Sequence, residues 1–136
     1  MACLNFFGVR VSVDEAFKAL AYANEEYKKF EEKRDPLLLR DAAEKAWLAV
    51  ILATDLLLIS SGIGKPSSYR ERKNMLRALM AKKPRVAELG IDDKFYARAY
   101  KLHMLGFHEG ALDPEDIEEE LKKAEEYLRI IENLVK

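Results

Sequence analysis

The sequence predicts an all-α protein, an antiparallel up-and-down bundle of four or five helices. Three observations carry that expectation. Apolar residues recur at three- and four-residue spacing over most of the chain. Helix starts are marked by capping residues and by proline at first helical positions. Strand-like alternation is missing from every stretch except the first ten residues, which stay open to a strand reading.

Taken in order, Ser12 and Glu15 form an S-x-x-E capping box. Behind it Val13, Ala16, Leu20, Ala23, Tyr27 and Phe30 make one apolar stripe. Asp35-Pro36 gives an N-cap followed by proline, so a second helix is expected from there to about Ser61. Leu39, Ala43, Ala46, Val50, Ala53 and Leu57 form its seam. Trp47, Ile51 and Leu58 widen that seam, which makes this helix central. Gly62 and Gly64 supply a stop. Ser68 and Glu71 repeat the capping box for a shorter helix ending near Met80. Pro84 opens a turn or short helix that Gly90 closes. Asp92 is placed to cap a fourth helix ending near Gly110. Asp113-Pro114 starts a fifth, in which Ile117, Leu121, Ala124, Leu128, Ile131 and Val135 keep one seam. Short links imply antiparallel neighbours. A single domain is expected over residues 12–136, preceded by an N-terminal extension of residues 1–11.

Composition supports a folded domain with a charged surface: 49% of residues are hydrophobic and 35% charged. The net charge of -1 says nothing about partners, because it arises by cancellation. Lys65 to Arg85 holds eight basic residues and one acid, whereas Asp113 to Lys136 holds nine acids and four bases. Gln is absent and Thr54 is the only threonine. Few amides and many charges suit a hot-living source, although a helix-only composition explains the same bias. Cys3 is the single cysteine, so neither an internal disulfide nor a multi-cysteine metal site is expected. The apolar start, Ala2 to Val9, is short and lacks a basic leader. The run from Ala46 to Ile59 falls short of the roughly 20 apolar residues of a membrane span. A cytoplasmic protein without membrane association is therefore expected.

Both histidines lie in R-A-Y-K-L-H-M-L-G-F-H-E-G, Arg98 to Gly110. On an α-helix the five-residue step from Arg98 to His103 leaves their side chains about 140° apart. They can still flank one cleft. There an arginine stabilises phosphorane-like charge and a histidine moves a proton, which is enough to cleave RNA through its own 2′-hydroxyl without a metal. Against this stands a packed histidine: Ala99, His103, Gly106 and Gly110 form a strip of mostly small residues suited to close helix contact. His103, His108 and Glu109 diverge on the helical wheel, so neither a metal site nor a cofactor is expected. Asp55, the one charge inside the apolar run, needs a partner, and Arg98, Arg72 or a histidine are available; a dimer seam is the other reading. Lys65, Arg70, Arg72, Lys73, Arg77, Lys82, Lys83 and Arg85 are suited to nucleic-acid phosphates, with Tyr69 available for stacking. The plainer reading is a solvated face answering the acidic fifth helix. Trp47, Tyr96, Tyr100 and Phe107 read as core packing. No P-loop, dinucleotide glycine pattern or nucleophile elbow is present.

The order of A-A-E-K-A-W-L-A-V (Ala42 to Val50), S-S-Y-R-E-R (Ser67 to Arg72) and L-H-M-L-G-F-H-E-G (Leu102 to Gly110) resembles the archaeal PaREP family. The resemblance runs from about Val13 to Lys136, and the family is similar to a branch of the HEPN superfamily. It implies an up-and-down bundle that is usually dimeric. HEPN proteins include metal-independent ribonucleases, often toxins, whose motif is Arg followed after four to six residues by His. Others are partners of minimal nucleotidyltransferases or inactive binding modules. Arg98 and His103 match that motif with four residues between. Ala99 stands where the nucleases carry a polar residue, and Gly106-Phe107-His108 where the PaREP pattern has Asn-Phe-Tyr. The resemblance and the residues together lead us to expect a homodimeric nucleotide- or RNA-binding module. The alternatives are a metal-independent endoribonuclease using Arg98 and His103, and a structural or regulatory dimer partner, for example of a nucleotidyltransferase.

Overall fold

Short polar side chains accept backbone N–H groups at the starts of the longer helices. The computed structural model describes residues 2–4 and 10–136, with side chains from Ser12 onward. Two short strands, β1 (Ala2–Leu4) and β2 (Arg10–Ser12), pair antiparallel within and just beyond the expected N-terminal extension. Helix α1 (Asp14–Lys33) starts where the Ser12 hydroxyl accepts the Asp14 N–H at 3.1 Å, and ends at Arg34, whose φ of 57° reverses the chain. Two residues later α2 (Pro36–Ser60) begins, its Leu37 N–H donating to the Asp35 carboxylate at 3.0 Å. This two-residue link makes α1 and α2 antiparallel neighbours.

Ser68 caps α3 (Tyr69–Lys82), accepting from the Glu71 N–H at 3.1 Å. Glu71 reaches one residue further back than a capping box requires, accepting from the Ser67 N–H at 3.0 Å and hydroxyl at 2.9 Å. Those two bonds hold its carboxyl below the usual carboxylate range. Helix α4 (Pro84–Glu88) is a single turn. Helix α5 (Ile91–Arg98) starts from Gly90, at φ 64°, so Asp92 sits in its first turn rather than capping it. Helix α6 (Pro114–Leu134) opens with a reciprocal box between Asp113 and Asp116.

The expected fourth helix is the main departure. It is α-helical only to Arg98 and continues as a ten-residue π-helix, Ala99–His108. In this register each N–H reaches five residues back, so a turn takes more than the 3.6 residues of an α-helix. Side chains five apart are brought closer to one face than on an α-helix, and the wheel angles of an α-helix no longer hold.

The core gathers around α2. Ala42, Ala43, Ala46, Ala49, Val50 and Ala53 are fully buried, and their small size lets α1, α6 and the π segment approach closely. The stripe expected on α1 buries Ala16, Leu20, Ala23 and Phe30; that on α6 buries Ile117, Leu121, Ala124, Leu128 and Ile131. Helix α3 lies to one side, fastened by buried Leu76 and Leu79 and by Arg72, which grips Asp55 with bonds of 2.7 and 3.0 Å. Of the three partners available to Asp55, Arg72 is the one it takes. No helix among the described residues is long and apolar enough to cross a membrane.

One buried polar pair ties α2 to α6. The Thr54 hydroxyl donates to the Val50 carbonyl at 2.7 Å, so the fully buried Tyr127 hydroxyl donates to Thr54, also at 2.7 Å. Burial pushes the Tyr127 phenol far up from its ordinary value. Thr54→Val strands the phenol without an acceptor and should cost about 1–3 kcal/mol, whereas Tyr127→Phe should cost about 1 kcal/mol. Urea unfolding of both variants and the double variant checks this: the double should be less destabilised than the sum.

Candidate functional site at the π-helical segment

One face of α2 holds the π segment. Arg40, Ala43, Glu44 and Trp47 recur at spacings of three, one and three, which places them on one side of the helix. Each meets a different part of Ala99–His108. The Arg40 guanidinium donates to the carbonyls of Phe107 and His108, both at 2.7 Å, satisfying two of the groups a helix end leaves open. Gly110, at φ 59°, turns the chain away beside the same arginine. Ala43 faces Gly106 so closely that a Cβ on Gly106 would lie 2.7 Å from that of Ala43. Only glycine permits this approach. The strip of small residues therefore does serve close contact, with α2 as its partner.

His103 sits between these fixed points. Its ring stacks on Trp47, with centroids 5.8 Å apart, and on Phe107 at 6.2 Å. Its Nδ1 faces the Glu44 carboxylate at 3.3 Å. The two atoms are shielded from water, yet they are off the line of a good hydrogen bond. Its Nε2 lies 3.1 Å from the Nε2 of His108. The two histidines converge, contrary to the divergence an α-helical wheel predicts, because the wider π turn narrows the angle between them.

Arg98 takes a different direction. It is 8% exposed, and its Nε and a terminal nitrogen reach the two oxygens of Glu120 on α6 at 2.8 and 3.3 Å. Lys123 approaches the same carboxylate at 3.8 Å. The small cavity that Arg98 edges, of about 40 Å³, is lined by Lys94, Lys123, Glu126, Tyr127 and Ile130, and His103 is not part of it. Arg98 thus faces α6 while His103 faces α2, and the two share no hydrogen-bonding partner among the described residues.

The basic residues divide by environment. Arg72 is turned inward to Asp55, and Lys82 leans on the Ser61 carbonyl at 3.4 Å. Arg85 stands 3.9 Å from Glu88, both well exposed. Lys65, Arg70, Lys73, Arg77 and Lys83 are exposed, with no carboxylate within ion-pair distance among the described residues. Arg70, Lys73 and Arg77 lie on one outward stripe of α3, spanning about 10 Å. Tyr69, half exposed, stands at its start, its ring 6.2 Å from that of Phe95. Of the aromatic stripe read as core, Trp47 is buried but Tyr100 is 57% exposed.

Sequence reasoning passed over Arg40, Glu44 and Glu120. The signal for Glu120 was present: it falls three residues after Ile117 and four before Ala124, inside the buried stripe of α6. Arg98 likewise falls three after Phe95 and four before Leu102. Two opposite charges each on an apolar stripe are a readable ion pair. Arg40 and Glu44 carry no such mark until the π segment is known to pack there.

Fold and site together define a helical-bundle protein whose central helix clamps a histidine-bearing π segment. The model of the archaeal PaREP1/PaREP8 family matches residues 37–128, and the chain belongs to that family. The matched stretch opens one residue into α2 and closes within α6, so Arg40, Glu44, Arg98, His103, His108 and Glu120 all lie inside it. No curated protein and no solved structure gave a significant match.

Removing one member of a buried ion pair leaves the other charge uncompensated, whereas replacing both with apolar residues is often tolerated. Glu120→Ala should therefore cost about 3–5 kcal/mol, and Arg98→Met/Glu120→Leu much less. Chemical denaturation of both proteins reads the difference. A single variant as stable as wild type would show that the pair contributes nothing.

Proposed function

We propose that this PaREP1/PaREP8 protein is a HEPN-like, homodimeric nucleotide- or RNA-binding module that contacts phosphate through the outward face of α3. The observation that carries the reading is the uncompensated basic strip of Arg70, Lys73 and Arg77, with Lys65 and Lys83 nearby and Tyr69 positioned to stack on a base. Charges already answered by carboxylates, as on Arg72, contribute less, because binding would have to displace an existing partner. The helical bundle and the Arg98–His103 spacing support the superfamily assignment.

A ribonuclease built on Arg98 and His103 would need Arg98 to leave Glu120, or a second copy of the chain to bring another cation to His103. Arg98→Ala also disrupts a buried pair, so loss of activity in that variant would not distinguish chemistry from folding. His103→Ala, assayed in EDTA, is the informative substitution.

Binding of labelled single-stranded RNA should weaken steeply with salt. Each phosphate contact adds about 0.7 to the slope of log affinity against log salt. Arg70→Ala/Lys73→Ala/Arg77→Ala should lower that slope by about 2, while Lys122→Ala/Lys123→Ala on α6 should leave it unchanged. No binding, or binding indifferent to the triple substitution, overturns the reading. Light scattering of the same samples gives the mass, expected to be that of a dimer.

A further inference from the structure

His103 and His108 stand five residues apart, and only the π register brings them together; an α-helix would separate them by about 140°. Their Nε2 atoms are 3.1 Å apart, with ring centres at 4.4 Å and planes at 78°. The contact has hydrogen-bond geometry, one ring's N–H directed at the nitrogen of the other, so a proton occupies the position between the rings that an ion would take. Two imidazole nitrogens bound to one ion at about 2.0–2.1 Å are about 2.9 Å apart at a right angle and about 3.3 Å apart at the tetrahedral angle. The observed separation falls between these limits.

The surroundings of His103 suit a ligand. Its Nδ1 faces Glu44 Oε2 at 3.3 Å, and neither of these shielded atoms has a hydrogen-bond partner. The carboxylate lies behind the ring on its Nδ1 side, where the partner of a metal-bound histidine is ordinarily found, and leaves Nε2 toward His108. Stacking on Trp47 and Phe107 holds the ring plane. The side facing His108 is open: His108 is exposed and the His103 side chain is 36% exposed.

We propose that His103 and His108 bind one divalent transition-metal ion of the imidazole-preferring class, such as Zn²⁺ or Ni²⁺, per chain, with Glu44 orienting His103. Among the described residues no group of three or more His, Cys, Asp and Glu side chains converges on a common point. The remaining coordination positions therefore face solvent and take water or a small anion. Such an open site binds more weakly than a closed four-ligand one. It lies on the π segment rather than on α3, so it does not depend on the RNA reading.

Trp47 is the only tryptophan of the chain and stacks on His103, so a paramagnetic ion held there quenches its emission. The experiment uses the full chain, free of any histidine tag, with Cys3→Ser to remove the competing thiol. Ni²⁺ should quench Trp47 saturably, EDTA should restore the emission, and Zn²⁺ should compete. His108→Ala, at an exposed position, should fold normally by circular dichroism and raise the Ni²⁺ needed for half-quenching at least tenfold. His103→Gln should do the same, and Glu44→Gln should raise it severalfold. No saturable quenching at millimolar Ni²⁺, or equal quenching in wild type and His108→Ala, overturns the proposal.

Discussion

The face of α2 formed by Arg40, Ala43, Glu44 and Trp47 is the constraint on which the candidate site depends. It fixes the π segment in its middle and at its last residues: Arg40 holds the last carbonyls, Ala43 meets Gly106, and Trp47 backs His103. A π-helix is an uncommon register with weaker intrinsic support than an α-helix. Here its terminal carbonyls receive a charged donor and its glycine is pressed against an alanine. The contacts to α2 act on the same ten residues whose register is unusual. That register sets the positions of His103 and His108.

The buried side-chain pairs of this bundle run between helices, whereas exposed ones such as Lys122–Glu118 and Arg129–Glu125 run along them. Arg98 binds Glu120 from α5 to α6, Arg72 binds Asp55 from α3 to α2, and Tyr127 binds Thr54 from α6 to α2. Each pair specifies one alignment of two helices, because a shifted register would leave a buried charge or hydroxyl unmet. Glu26 does the same at the surface. It accepts from Lys45 at 3.0 Å between α1 and α2, and that bond, before any other cause, draws its carboxyl below the ordinary value. The exposed cations of α3 stand apart from this pattern. Charge without an internal partner is what a polyanion ligand can use.

Most of the bundle was readable in the sequence, because its signals are local. Asp35-Pro36 and Ser68 mark helix starts by hydrogen bonds that span two or three residues, and the stripes on α1 and α6 follow from periodicity alone. The site was less readable, for two physical reasons. The π register changes which side chains share a face, so His103 and His108 looked divergent on an α-helical wheel. The partners of His103 and Arg98 come from α2 and α6, distant in sequence. Glu120 could have been inferred from its place in an apolar stripe. Arg40 and Glu44 could not, since both read as ordinary polar residues on the flank of a central helix.

Native-state hydrogen exchange of an Arg40→Leu variant tests the clamping of the π segment most directly. Loss of two charge-assisted hydrogen bonds, each worth about 1.5–3 kcal/mol, should speed exchange at the last amides of the π segment and the following turn by tenfold or more. Exchange in α1 and α6 should stay at its original rate. Unchanged exchange at residues 103–111, or an equal acceleration in every helix, would contradict the account.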